Sequence, residues 1–323
     1  MNGHRRDLSL GEARALVARA VDKAEQLGLR GGIAVVGASG GLVTAARLDR
    51  GGAGGMARAR SKAWIAATQQ VPTAEHLRRM TTLPAPIAAG FVAASPEAAF
   101  PGAGGMPVVV DGVVVAGIAA SGATVSPFLP AGVAPEAVSA DGEPANPEDL
   151  LVAYALGIPY VGQHGDDGAR WAARFGDLAV APEAALGMRP APAATAQREL
   201  AWASALCDAV IAAAAARGVR VSVAVVDAGG DPVREDRMDD AVVGGVEVAR
   251  ATAAAAARFG LPSAELADVF GSAAAALRGL APTDVLAAPG GVPLVVDGRV
   301  VGGLGVGGAQ PEACAAIAAG AAR

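Results

Sequence analysis

Apolar positions along this chain follow two spacings, and the alternation between them runs through the chain twice. After Ser9-Leu-Gly-Glu12, the residues Ala13, Leu16, Val17, Ala20, Ala24 and Leu27 return every three or four positions, which lines one face of a helix. Ser9 and Glu12 form a capping box, with the hydroxyl accepting from a first-turn N–H and the carboxylate reaching back; Gly28 stops the run. Residues 32–48 alternate as two strands about the turn Ala38-Ser39-Gly40-Gly41. From about Gly55 to Gln70, small and apolar residues mixed with Arg and Lys predict a helix ended by Pro72, with a second, shorter helix beyond. Val108 to Val115 is two β-runs flanking Asp111-Gly112, a pair that accepts positive φ at both central positions of a type I′ turn. A closing helix opens at Pro147-Glu148-Asp149.

The same order then recurs. The stretch from Ile33 aligns with that from Val223 at a constant offset of 190, matching Val35 with Val225, Gly40 with Gly230, Asp49 with Asp239, Arg60 with Arg250 and Pro72 with Pro262. Gly104 to Ala123 aligns with Gly290 to Ala309 at an offset of 186, so the second copy is four residues shorter after Pro262. Its turn is Ala228-Gly229-Gly230-Asp231, its helix runs from Gly245 to Gly260, its hairpin turns at Asp297-Gly298, and its last helix opens at Pro311-Glu312-Ala313. This is a tandem duplication of a small α+β unit, each copy an antiparallel sheet flanked by helices. Repeat one is expected over 1–157 and repeat two over 195–323, with a linker segment over 158–194. Thr124 to Asn146 is inserted in repeat one where repeat two has Gln310; it serves either as a neutral surface loop or as a cover over a site. Gly302, Gly303, Gly305, Gly307 and Gly308 strip the last strand of side chains, the mark of a close approach by another backbone or by a ligand.

Bulk properties narrow the function. At 323 residues the chain can bury more than one core, and 26 Lys plus Arg against 31 Asp plus Glu leave a net charge of −5, no footprint for nucleic acid. There is no signal-peptide h-region and no unbroken run of apolar residues long enough to span a bilayer, so a soluble cytoplasmic protein without membrane contact is expected. Two cysteines in Ala-rich helical patterns, Cys207 and Cys314, do not make a disulfide framework or a thiolate cluster. Nucleophile-elbow, zincin and phosphate-loop motifs are missing, and the Gly-rich run near Gly305 follows a hairpin instead of opening a βαβ unit.

The order AVVDAGGDPV, then Arg-Met-Asp, then a helix with Ala-Arg-x-Lys-Ala, then Gly-Gly-x-Pro-Val leading through Asp-Gly to a Gly-Ala end, and an acidic turn into an Ala-rich helix, resembles the GlcG/HbpS family. That family is of the haem-binding or "haem-degrading domain" type and also forms the C-terminal domain of some cobalamin adenosyltransferases. The resemblance covers roughly 8–157 and 195–323. It implies a profilin-like α/β sandwich in each repeat, symmetric homo-oligomers, here built on an internal pseudo-dimer, and haem or another small-molecule ligand held near subunit contacts.

The copies differ from the pattern in complementary places: the family-like Asp is Asp227 in repeat two but Gly37 in repeat one, and the family-like Lys is Lys62 in repeat one but Thr252 in repeat two. Packed as the family's dimers are, the two copies would assemble one intact site. Three functions stand open. The first is haem or tetrapyrrole binding, for which the axial-ligand candidates are His76 and His164, with His4 in the tail. His76, among Glu75, Arg78 and Arg79, also reads as part of a solvated helix surface. The second is a cofactor-independent isomerase, cyclase or lyase acting on a small carboxylated metabolite, with Lys62 and Asp227 as an acid/base couple. The third is a structural partner subunit. Arg47, Asp49, Arg60, Arg237, Asp239, Glu247 and Arg250, beside Gly104, Gly105, Gly290 and Gly291, could hold a carboxylate through an Arg fork, or Arg47 with Asp49 and Glu247 with Arg250 could be plain ion pairs.

Overall fold

The computed structural model of the chain describes residues 8–26, 28–49, 51–95, 99, 100, 102–123, 139, 140, 143, 144, 146–158, 198–271 and 285–322. It divides into two compact units, Met1–Ala196 and Gln197–Arg323. The expected linker over 158–194 and most of the insertion after Thr124 lie outside the described residues.

In the first unit, α1 (Leu10–Gln26) begins at the expected capping box: Glu12 N–H donates to Ser9 Oγ at 3.3 Å, and Ser9 N–H to Glu12 Oε2 at 3.0 Å. Gly28 follows it with φ 65°. Strands β1 (Gly32–Gly37) and β2 (Leu42–Arg47) form the first hairpin, β3 (Gly105–Val110) and β4 (Val113–Ser121) the second. β1 pairs antiparallel with both β2 and β4, so the sheet order is β3-β4-β1-β2. Asp111 and Gly112 have φ 51° and 75°, as the type I′ turn requires. Every residue of β1 is buried, which needs cover on both sheet faces. α2 (Ala53–Gln69) packs on β4, β1 and β3, while α1 and α5 (Pro147–Leu156) pack on each other and on the sheet. One short helix was expected after Pro72, and two are present, α3 (Thr73–Thr82) and α4 (Ala85–Ala94). Pro84 divides them, because the residue before a proline is pushed out of the helical region, and Leu83 is extended at φ −82°, ψ 149°. Two two-residue strands, β5 (Ser139–Ala140) and β6 (Glu143–Pro144), pair within the insertion.

The second unit repeats this plan with α6 (Arg198–Ala216), β7 (Ser222–Asp227), β8 (Pro232–Arg237), α7 (Gly245–Phe259), α8 (Leu266–Phe270), β9 (Gly291–Val296), β10 (Arg299–Gly307) and α9 (Pro311–Ala321). Its sheet order is β8-β7-β10-β9, all antiparallel. Period-two alternation sorts the core: Val223 and Val225 join Ala203, Cys207 and Val210 of α6 and Ile317 of α9, whereas Ala224 and Val226 meet Ala249, Ala253 and Ala257 of α7. Both cysteines are free and lie in the first of these clusters. The residues 199–216 of α6 are long and apolar enough to cross a membrane by composition, yet their apolar side is the wall of that core.

The glycines of β10 admit backbone. A Cβ on Gly305 would fall on the carbonyl oxygen of Ala249, and one on Gly303 on that of Ala253, so α7 sits on the bare strand at a distance no side chain allows. Of the two close approaches the sequence left open, a neighbouring helix accounts for these positions.

Candidate functional site

Lys62 projects from α2 into the first unit's interior, 3 % exposed, and its Nζ donates to Glu148 Oε2 at 2.5 Å. Glu148 stands in the first turn of α5, where Asn146 caps the helix by accepting from the Glu148 and Asp149 N–H groups at 3.0 and 3.3 Å. The other oxygen, Glu148 Oε1, accepts from Gly122 N–H at 2.6 Å and Ala123 N–H at 3.2 Å, just past β4. Asp149 Oδ1 accepts from Gly104 N–H at 2.7 Å. Two carboxylates on one helix N-terminus, with a lysine and three backbone donors, tie α5 to α2, to the end of β4 and to the approach to β3. Gly104 has φ 104°, and a Cβ there would lie 2.7 Å from Glu148 Cβ. A Cβ on Gly105 would lie 2.7 Å from Thr73 Cγ2, and Cβ atoms on Gly290 and Gly291 would strike the carbonyl oxygens of Val306 and Thr252. The chain itself occupies the space these four glycines leave.

The matching place in the second unit is neutral. Thr252 is buried and its hydroxyl donates within its own helix, to Val248 O at 2.9 Å, and Glu312, at the turn matching Glu148, is exposed. Asp227 ends β7, and its Oδ1 accepts from Gly229 N–H at 2.9 Å and Asp231 N–H at 3.1 Å, an Asx-turn that sets the β7–β8 hairpin.

The other candidate charges divide. Arg250 Nε donates to Glu235 Oε1 at 2.8 Å and its Nη2 lies 3.7 Å from Glu247, which is the structural ion-pair geometry. Arg237 donates to Ala241 O at 3.2 Å, tying down the loop after β8, and Asp239 is exposed. Arg47 and Arg60 are buried, at the end of β2 and on α2. Burial, then the charges of Asp22 and Asp49, push the Glu25 carboxyl above its usual range.

His76 departs from the solvated-surface reading. It is 5 % exposed on α3, and its ring faces Phe91 of α4 with centroids 5.2 Å apart. α3 turns this face inward, leaving Arg78 and Arg79 to pair with Glu75 in solvent. Burial, and secondly the Arg79 cation, hold the imidazole below its ordinary value of 6.5, so it is neutral at neutral pH. α4 has no polar side chain, and none of its ten residues is buried. His4 and His164 lie outside the described residues.

Sequence reasoning missed Glu148 and Asp149, although the acidic pair after Pro147 at a predicted helix start is a sign of residues placed for the dipole. It also missed Arg19 and Lys23, two buried cations of α1 that meet Tyr154 of α5; Arg19 Nη2 donates to its carbonyl at 3.0 Å and Lys23 Nζ lies 4.1 Å from its ring centroid. Amphipathic periodicity alone did not mark them.

Two units with one strand order, each with a long helix over one sheet face and a helix pair over the other, define a tandem α+β protein. The family model described as "Haem degrading protein HbpS-like" matches residues 8–127 and 199–323, and the chain belongs to that family. Among solved structures, it is 27 % identical to Klebsiella pneumoniae protein ORFY, over 38 % of this chain and 86 % of that one, with a TM-score of 0.36. A PduOC:heme complex is 31 % identical over 37 % of this chain and 88 % of that one, TM-score 0.34. HbpS is 32 % identical over 38 % and 86 %, TM-score 0.36. No curated protein matches the chain.

Proposed function

We propose that this chain binds haem or a related tetrapyrrole, and that His76 is the axial ligand in repeat one. The observation that carries the reading is the neutral, nearly buried His76 imidazole facing an uncharged, wholly apolar helix. A haem iron takes a neutral imidazole, and a porphyrin face takes apolar cover; the donor set fits the group. Haem, when bound, supplies iron-centred ligand or redox chemistry; the chain's part is to present the imidazole and exclude water.

α4 buries none of its residues fully, and Phe91 is only part-buried over His76, so Phe91 is the side chain that an entering flat ring displaces. Ile87, 58 % exposed, and Leu83 are left on the outer side as a surface that a second copy of the chain covers, so that the ligand lies at a subunit contact. The competing reading, an enzyme using Lys62 and Asp227, requires Lys62 to leave Glu148 and Asp227 to serve beyond its own turn.

Absorbance titration with haemin tests this. Saturation near one haem per chain with a defined Soret band is expected, lost in His76→Ala and weakened in Phe91→Ala. An unchanged Soret band in His76→Ala refutes the ligand assignment; no saturable uptake refutes the function.

A further inference from the structure

We infer that repeat two carries a separate binding site for an organic cation, an ammonium group borne on an aromatic or branched apolar body. A cavity of about 420 Å³ opens there, in the size range of small-ligand pockets. Its walls are Trp202 from the first turns of α6, Val226 at the end of β7, and Val296 and Val301 from the β9–β10 hairpin. Its charged lining groups among the described residues are Glu199 and Asp227, both acidic.

The carboxylate of Asp227 is held still. With Oδ1 anchored on the Gly229 and Asp231 N–H groups, it cannot swing away from the cavity's edge as a solvent-facing side chain would. Trp202 lines the same apolar space and leaves 40 % of its surface exposed. An aromatic face flanked by carboxylates in an apolar hollow is the chemistry that selects ammonium cations, through cation–π attraction and charge pairing. The same two carboxylates disfavour an anionic ligand, so this pocket does not suit the propionates of haem. The inference does not rest on the haem reading.

Comparison of the repeats shows that the acidic and aromatic lining of the pocket is particular to the second, whereas Val226, Val233, Val296 and Val301 match Val36, Val43, Val110 and Val115. Gly28 and Gly218, with φ 65° and 67°, end α1 and α6 and keep the offset of 190. Glu199, Trp202 and Asp227 then correspond to Ser9, Glu12 and Gly37. In repeat one, Ser9 and Glu12 bind each other as the capping box. Repeat two has no such box at these positions; it has an acid and an indole, with a third residue, Asp227, added across from them.

The test titrates the full chain by calorimetry with phenethylammonium, phenethyl alcohol and 3-phenylpropionate, which share one body and differ in charge. Saturable binding of the ammonium at one site per chain is expected, about tenfold tighter than the alcohol, with the carboxylate weakest. A Glu199→Gln/Asp227→Asn double variant, which keeps an oxygen acceptor for the β7–β8 turn, should bring the ammonium down to the affinity of the alcohol. Trp202→Leu should weaken it about threefold or more. Equal binding of the three probes, no saturation by the ammonium, or full affinity in the double variant overturns the inference. Haemin uptake by the double variant should be unchanged; its loss together with ammonium binding would overturn the separateness of the two sites, while failure of haemin to bind the parent chain leaves the ammonium result to stand or fall alone.

Discussion

Replacing Lys62 by Met removes a buried cation and strands its partner. Glu148, 4 % exposed at its side chain, keeps the Gly122 and Ala123 N–H donors but loses the ammonium 2.5 Å away. Breaking one side of a buried pair costs about 3–5 kcal/mol, and the two remaining donors put this case near the lower end, about 3 kcal/mol. For a domain of this size that corresponds to a fall of roughly 6–12 °C in the melting temperature of repeat one. Glu148→Gln should cost a similar amount, because it leaves the Lys62 charge buried. Lys62→Met/Glu148→Gln should return to within about 1 kcal/mol of the parent, since an apolar stem then packs beside an amide that still accepts from the backbone. Repeat two already lives with a neutral Thr252 at the matching position. The assay is urea unfolding of all four proteins, followed by circular dichroism with the two repeats fitted as separate transitions. A cost below about 1 kcal/mol for Lys62→Met, or a double variant as unstable as both single losses together, would refute the assignment of Lys62 to structure.

Gly305→Ala should destabilise repeat two by about 1–3 kcal/mol or more, because its Cβ meets the α7 backbone, whereas Gly244→Ala, at φ −67° with open space around it, should stay within about 0.5 kcal/mol; thermal melts that rank them the other way defeat the packing account. His76 has a folded pKa below 6.5, so the unfolded chain takes up its proton first, and stability should fall as pH drops through 6.5 towards the folded value; His76→Phe should flatten that part of a stability–pH profile. Glu25 has a folded pKa above 4.5, and its Oε1 is buried without a hydrogen-bond partner. Its contribution is therefore present at low pH and lost as pH rises through the folded value, so Glu25→Gln should raise stability at neutral pH, and a lowered unfolding midpoint there would contradict this.

Local chemistry was legible in the sequence wherever neighbours in the chain decide the outcome. The capping box, the type I′ turns at Asp111-Gly112 and Asp297-Gly298, and the helix stop at Gly28 all depend on backbone preference within four residues, and all are present. The duplication was visible because both copies keep the same apolar spacing and turn glycines, and the family assignment followed from that order of motifs. Partnership across the fold was not legible. Lys62 and Glu148 are 86 residues apart and meet only when α2 and α5 are placed by the sheet between them. The polar neighbours of His76 suggested solvent, but α3 carries those charges on its outer side and turns the imidazole inward towards Phe91, a partner fifteen residues away that local composition does not reveal.

The first turn of α5 joins three segments at once: Glu148 holds α2 and the end of β4, and Asp149 holds the approach to β3. A helix fastened in this way cannot fray alone, and its amides should exchange with solvent only when the whole unit opens. α9, its counterpart, has an exposed Glu312 in place of that knot and is kept down by Cys314, Ile317 and Ala318 through apolar contact. Two helices descended from one should thus differ in how they let go, the first with its domain and the second through partial openings that leave its sheet intact.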